Sequence, residues 1–160
     1  MTRRNVGLNG NELATAVGVT PNRRADWARK GLLRRASGSY GPLDAVDLVC
    51  LGAMVDKVGP KAAKRCWPGV RQALRDRLPG RQARLWAVID ERPIPVVLLT
   101  TPPAVATAVS EAPGAVTVLA IHELAEAALD AFRQATPEPV EHDAAASVQD
   151  LASRRRAPAM

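Results

Sequence analysis

The sequence predicts an α+β protein in three parts. A basic, mainly helical first half (5–79) carries a small hairpin, a β-β-α-β-α segment follows over 82–135, and a disordered tail covers 136–160. Three observations lead there. Charge is divided along the chain: residues 1–84 hold 17 Lys/Arg against 6 Asp/Glu, and residues 85–153 hold 2 against 10. Apolar residues recur at helical spacing in the first half and in short aliphatic runs in the second. From Thr136 onward prolines, alanines and charges follow one another with no core pattern, so the tail has too little apolar surface to offset the entropy of ordering.

The organising stretch is Thr20 to Pro42, TPNRRADWARKGLLRRASGSYGP. Thr20 is placed to cap a helix, and Pro21 fits the first helical position, where a missing N–H costs nothing. Gly31 ends that helix. Leu32 and Leu33 turn inward, Arg34 and Arg35 enter a hairpin, Ser37-Gly38-Ser39 form its tip, and Tyr40 closes it. A cationic helix followed at once by a cationic hairpin suits duplex DNA, the helix for the major groove and the hairpin for the backbone.

Before this stretch, Met1 to Arg4 read as a basic arm and Val6 to Leu8 as a short strand. Asn9 and Glu12 stand three apart, as in a capping box, ahead of a helix over 10–17 that buries Leu13, Ala14 and Val17. Gly18 makes the turn and Val19 packs under it. After the hairpin, Asp44 caps a helix over 43–58 whose Val46, Val49, Cys50, Ala53 and Met54 form a one-sided apolar face. Gly59-Pro60 breaks it. A further helix over 60–77 carries Lys61, Lys64, Arg65, Arg71, Arg75 and Arg77, and Trp67-Pro68-Gly69 is expected to interrupt it.

In the second half, QARLWAVID (82–90) and IPVVLLT (94–100) read as strands separated by Glu91-Arg92-Pro93. A helix follows, with Thr101 as its cap and prolines in its first turn. Pro113-Gly114 ends it. AVTVLAI (115–121) reads as a third strand, and 122–135 as an amphipathic helix with Leu124, Ala127, Ala128, Ala131 and Phe132 on one face.

Residues 8 to about 66 resemble the MerR-type winged helix-turn-helix superfamily, and within it the small excisionase and BldC-like branch. The carriers are ELA..VGVTP (Glu12 to Pro21), WARKGLL (Trp27 to Leu33) and Tyr40. The resemblance implies a winged helix-turn-helix with its second helix in the major groove. Two departures stand out: Ala25-Asp26-Trp27 replaces an Arg-Tyr-Tyr run, and Arg24 replaces an apolar residue. The family's long dimerisation helix has no counterpart here, since Pro79-Gly80 stops any extension and no heptad follows.

The candidate DNA contacts are therefore Thr20, Asn22, Arg23, Arg24 and Lys30 on the helix, with Arg34, Arg35, Ser39 and Tyr40 on the wing. Arginine pairs with guanine and Asn with adenine, whereas the wing arginines suit phosphate. Trp27 reads as structural, because a duplex offers no free base face to stack on, and Trp67 and Trp86 read as core or interface residues. The expected partners are double-stranded DNA and a second copy joined through 82–135, whose acidic balance keeps it away from DNA.

No catalytic constellation is visible. His122 reads as a polar helix start, His142 lies in the tail, no serine has a nucleophile-elbow setting, and no glycine-rich phosphate loop occurs. Cys50 and Cys66 lack C-x-x-C spacing and nearby histidines, so no zinc site is recognisable and no cofactor is expected. The N-terminus has no secretory apolar region and no stretch is apolar enough to span a membrane, which implies a cytoplasmic, nucleoid-associated protein. The leading expectation is a sequence-specific, non-enzymatic transcriptional regulator. The competing readings are an excisionase-like architectural DNA binder and a protein-interaction adaptor on the same scaffold.

Overall fold

A computed structural model describes residues 7–35, 38–77, 84–90 and 96–136. Its elements are α1 Gly10–Ala16, α2 Pro21–Arg29, α3 Pro42–Arg77, β1 Trp86–Ile89, β2 Val96–Leu99, α4 Pro102–Glu111, β3 Thr117–Ala120 and α5 Ile121–Ala135. The α+β class and the β-β-α-β-α order are as the sequence predicts. The arm at 1–4, Ser37, Pro79-Gly80, the turn at 91–93 and the tail from 137 lie outside the described residues.

Local chemistry fixes the first two helices. Asn9 caps α1: its Oδ1 accepts from the N–H groups of Asn11 and Glu12 at 3.0 Å, and Glu12 reaches back to the Asn9 N–H at 2.8 Å. This is the capping box. Thr20 Oγ1 accepts from Arg23 N–H at 3.3 Å and starts α2. Both helices end the same way. Gly18 (φ +73°) and Gly31 (φ +75°) take left-handed conformations, and the residue after each donates back into the helix: Val19 to Ala14 and Leu32 to Trp27, both at 2.9 Å. These Schellman closures need glycine because a Cβ is strained at such φ values.

The segment around Tyr40 is tied down by one antiparallel bridge, in which Tyr40 N–H donates to the Leu8 carbonyl at 2.8 Å. Among the described residues the Tyr40 backbone thus pairs with the segment ahead of α1, and no backbone bond joins it to residues 32–35.

α3 is the central element. Gly59 (φ +83°, ψ 162°) breaks it into two arms. That backbone region is essentially reserved for glycine. The first arm departs from its expected one-sided face. Ala45 through Leu48, Cys50 through Gly52, and Met54 are all buried, because neighbouring elements cover the arm on several sides, whereas Val49 and Ala53 are only half-buried. The second arm runs unbroken through Pro68, correcting the expected interruption. Proline keeps helical φ, its ring is exposed, and the flanking Trp67 and Val70 are buried, so packing outweighs the lost hydrogen bond.

The two arms fold back as a hairpin and meet at Asp47. Its Oδ2 accepts from Arg71 Nε at 3.0 Å and Arg75 Nη2 at 2.6 Å, with the carboxylate 2% exposed. Asp47 and Arg71 each stand twelve residues from Gly59, the symmetry an antiparallel hairpin requires. Burial pushes the Asp47 carboxyl above the ordinary range, against the pull of Arg75 and Arg71.

The sheet has order β2-β1-β3, with both pairings antiparallel. Ala87, Ile89 and Leu119 face a core that runs continuously from Leu8 through α3 to Phe132 of α5. α5 packs on α3 and also meets α1, so both halves of the chain share that core. α4 lies over β1 and β2 on the side where Val88 pairs with Val97 and Val118. Val118 on β3 stays 41% exposed.

Truncating the buried carboxylate strands two arginine heads that are each about a third exposed. Asp47→Ala is therefore expected to lower stability by about 2–3 kcal/mol, somewhat less than for a fully buried pair. Replacing Asp47, Arg71 and Arg75 together by Leu, Met and Leu should recover most of that loss. Urea denaturation of the three proteins checks this. A single variant as stable as the wild type would mean the clamp does not hold the hairpin.

Candidate functional site

The nine residues singled out in the sequence fall into separate groups around α2. At its start, Thr20 and Asn22 are exposed, and the Thr20 hydroxyl is the helix cap. Arg23 lies over the Trp27 ring at 4.8 Å and pairs through Nη2 with Asp56 Oδ1 at 2.8 Å. Trp27 itself is buried, with Gly52 of α3 and Val19 nearby, as a structural aromatic should be. Trp27 meets Gly52 and Arg23 meets Asp56, so α2 runs antiparallel to the first arm of α3. Its N-terminal turn thus meets α3 at Asp56, three residues before the Gly59 break.

The second group surrounds Tyr40. Arg24 donates from Nη1 to the Tyr40 hydroxyl at 3.1 Å, and its guanidinium lies 5.4 Å from the ring centroid. On its other side it presses on α1 at Gly10, where a Cβ would lie 2.5 Å from Arg24 Cζ. Arg34 donates from Nε and Nη2 to the two oxygens of Asp44 at 3.1 and 2.9 Å, and sits 5.8 Å from the same ring. Asp44 Oδ2 also accepts from Gly41 N–H at 2.8 Å, anchoring the start of α3. Burial pushes the Asp44 carboxyl up, but the bonds from Arg34 and Gly41 outweigh it and hold it below the usual range. Arg24, Arg34, Tyr40, Asp44 and Asp47 line one small pocket, in which Arg24 Nε and Asp47 Oδ1 are buried without a hydrogen-bond partner among the described residues.

The third group closes α2. Arg35 donates from Nε to the Ala28 carbonyl at 3.1 Å and from Nη2 to the Arg29 carbonyl at 3.0 Å. It thereby satisfies end carbonyls and complements the helix dipole. Lys30 and Arg29 both pair with Asp26 at 2.7 Å. Ser39 is exposed beside Gly7. The two wing arginines expected on phosphate are thus engaged within the chain, and Arg24 is held between α1 and Tyr40. Their partners are ten or more residues away for Arg34 and Arg24, beyond the reach of local patterning.

Three lysines that follow Asp56 closely in the chain were not among the sequence-predicted site residues. Lys57 follows Asp56 directly, and Lys61 and Lys64, three apart, open the second arm on one face. All three are exposed and make no ion pair among the described residues. The i, i+3 spacing was readable, and the buried residues Ala63, Cys66, Trp67 and Val70 on the opposite face are its complement.

Among the described residues no cluster of His, Cys, Asp or Glu is arranged to hold a metal ion, and no helix is long and apolar enough to cross a membrane. Cys50 and Cys66 are both buried thiols, and burial pushes Cys50 up to about 12. His122 Nδ1 lies 3.2 Å from the Leu85 backbone nitrogen and 2.9 Å from the Leu85 carbonyl oxygen, joining the start of α5 to the residue ahead of β1. No family model matches the chain, and no curated protein matches it either.

Arg24 and Tyr40 act as one unit in this geometry. Arg24→Ala is expected to lower stability by about 1–2 kcal/mol through lost hydrogen bonding and cation–π contact. With Tyr40→Phe it should show a coupling of roughly 0.5–1.5 kcal/mol in a double-mutant cycle. Strict additivity in urea melts would sink this assignment.

Proposed function

We propose that the chain is a sequence-specific, double-stranded DNA-binding transcriptional regulator. In this reading α1, the Gly18 turn and α2 form a helix-turn-helix, the segment bridged at Leu8–Tyr40 is its wing, and the start of α2 enters the major groove. One observation carries the reading most: Arg23, in the first turn of α2, contacts Asp56, which Lys57, Lys61 and Lys64 follow in the chain, all three exposed and without an ion pair among the described residues. An exposed helix start with Asn and Arg supplies base-edge chemistry, and adjoining lysines supply phosphate contacts. The wing then serves mainly to brace α2, since Arg34 and Arg35 are bonded inside the chain. No enzymatic step and no cofactor belong to this function.

Selection from a randomised duplex pool tests the reading. Arg23→Ala should cost about 1–3 kcal/mol of specific affinity and relax one base position. Changing Lys57, Lys61 and Lys64 together to Gln should weaken all sequences alike and flatten the log K against log salt slope by roughly 2–3 units. Arg34→Ala should shift the slope by less than about one unit. A wild-type protein that enriches no duplex defeats the proposal and favours the adaptor reading. Genomic footprints at attachment sites rather than promoters would favour the excisionase-like one.

A single module of this size presents few base contacts, and pairing of half-sites supplies the rest. The second copy is proposed to dock through 82–135, where β2 and β3 are the sheet edges and Val118 is exposed. Because α5 shares the core of α3, the test keeps the whole chain. Full-length protein should sediment as a dimer at micromolar concentration and Val118→Glu as a monomer. Monomeric wild type would end the dimer idea.

A further inference from the structure

We propose that Asp56 is a specificity-determining residue. Its carboxylate holds the Arg23 guanidinium in the unbound protein and yields it to a guanine edge in preference to a phosphate. This rests on the DNA-binding reading above and adds a discriminating element to it.

The argument begins with the placing of the charge. Asp56 meets Arg23 at 2.8 Å, and the next charged residues after it in the chain are Lys57, Lys61 and Lys64. A surface built only to attract polyanions gains nothing from an acid there. Next comes exchangeability. The side chains of Arg23 and Asp56 are 41% and 62% exposed, so water screens the pair and an incoming acceptor displaces it at little cost. The Asp47 pairs, 2% exposed on the acid side, lack that freedom. Finally, the guanidinium is already oriented. It lies over Trp27 at 4.8 Å, and Trp27 is locked in the core, so leaving Asp56 does not leave the head disordered.

These features make Asp56 a competitor for the reading residue. A guanine offers two acceptors, O6 and N7, in the fork geometry of arginine, and a bidentate pair outweighs the single contact to Asp56. In loose, sequence-independent contact no base edge is presented, and a phosphate meets an Arg23 whose charge Asp56 already offsets. Specific binding is therefore favoured over tracking along the backbone, by withholding Arg23 from the wrong complex rather than by added attraction to the right one.

The test uses full-length protein and two duplexes: one selected from a randomised pool by the wild type, the other a scramble of it. Affinities are measured by fluorescence anisotropy for wild type, Asp56→Asn, Arg23→Ala and the double variant. Asp56→Asn is expected to tighten the scrambled duplex by up to about fivefold while changing the selected one by less than about twofold, the scale of one exposed ion pair. In the Arg23→Ala background the same change should alter neither duplex, because the effect runs through Arg23. Equal tightening of both duplexes, or tightening that persists without Arg23, would reduce Asp56 to bulk charge and overturn the proposal. If the wild type binds a selected duplex and Asp56→Asn leaves the specificity ratio unchanged, this inference fails alone. If the wild type binds no duplex, the DNA-binding reading fails and takes this one with it.

Discussion

The Asp47 carboxylate, gripped by Arg71 and Arg75, is the constraint on which the rest of the molecule depends. Gly59 lets α3 reverse, but a glycine break alone leaves the sliding register of the two arms open. A buried charge closes that choice, because a slip of one turn removes both guanidinium groups from a carboxylate that water cannot reach. Such pairs add little net stability, since desolvation offsets the attraction. The raised Asp47 carboxyl expresses that cost. What the pair contributes is register. Once the arms are set, the Trp67 indole N–H meets the Leu32 carbonyl at 2.7 Å, and Gly52 leaves room for Trp27. The position and direction of α2 follow from those two contacts.

The parts of this fold that the sequence makes legible are those decided within about four residues. Asn9 with Glu12, Thr20 with Pro21, Thr101 with its prolines, and the glycines after α1 and α2 each act on adjacent backbone groups, so their chemistry is visible in a local window. The aliphatic runs around Trp86, Val96 and Thr117 similarly announce their strands. Pro68 misleads because its local cost is real, yet the burial of Trp67 and Val70 exceeds it, and burial is a property of distant partners. The first arm of α3 misleads in the same way: Leu48 and Leu51 fall off the expected stripe, and only the elements that surround the arm put them in the core. The arginines were legible as charges but not as contacts. Arg34 finds Asp44 and Arg71 finds Asp47 across 10 and 24 residues, and no local pattern specifies either.

The acidic half, for its part, is more than an appendage to the basic one. Leu74 of α3, Leu85 and Ala87 at the first strand, and Phe132 of α5 lie in the same continuous core as Leu13 and Trp27. α5 touches both α1 and α3, so the helix that ends the second half supports the helix that braces α2. A load on the sheet, whether a second copy or another partner, is therefore two packed layers from α2. Closely packed layers transmit displacement because they have no voids to absorb it.

The division of charge along the chain also looks different once the partners are known. The excess of cations in residues 1–84 overstates what this face offers to an anion. Arg71 and Arg75 are committed to a buried acid, Arg35 to helix carbonyls, and Arg34 to Asp44 through two bonds. None of these leaves its partner without stranding a buried or helix-terminal group, a cost of about 1–3 kcal/mol each. Arg23 differs, since its acid partner is exposed and is resolvated by water on release. Lys57, Lys61 and Lys64 have nothing to release among the described residues. Ranked by what must be broken before a new anion is met, the lysines come first, Arg23 next, and Arg34 and Arg35 last. A proposed DNA surface is better defined by that ranking than by the count of positive charges. It centres that proposed surface on Arg23 at the start of α2 and on the lysines that follow Asp56 in the chain, away from Tyr40.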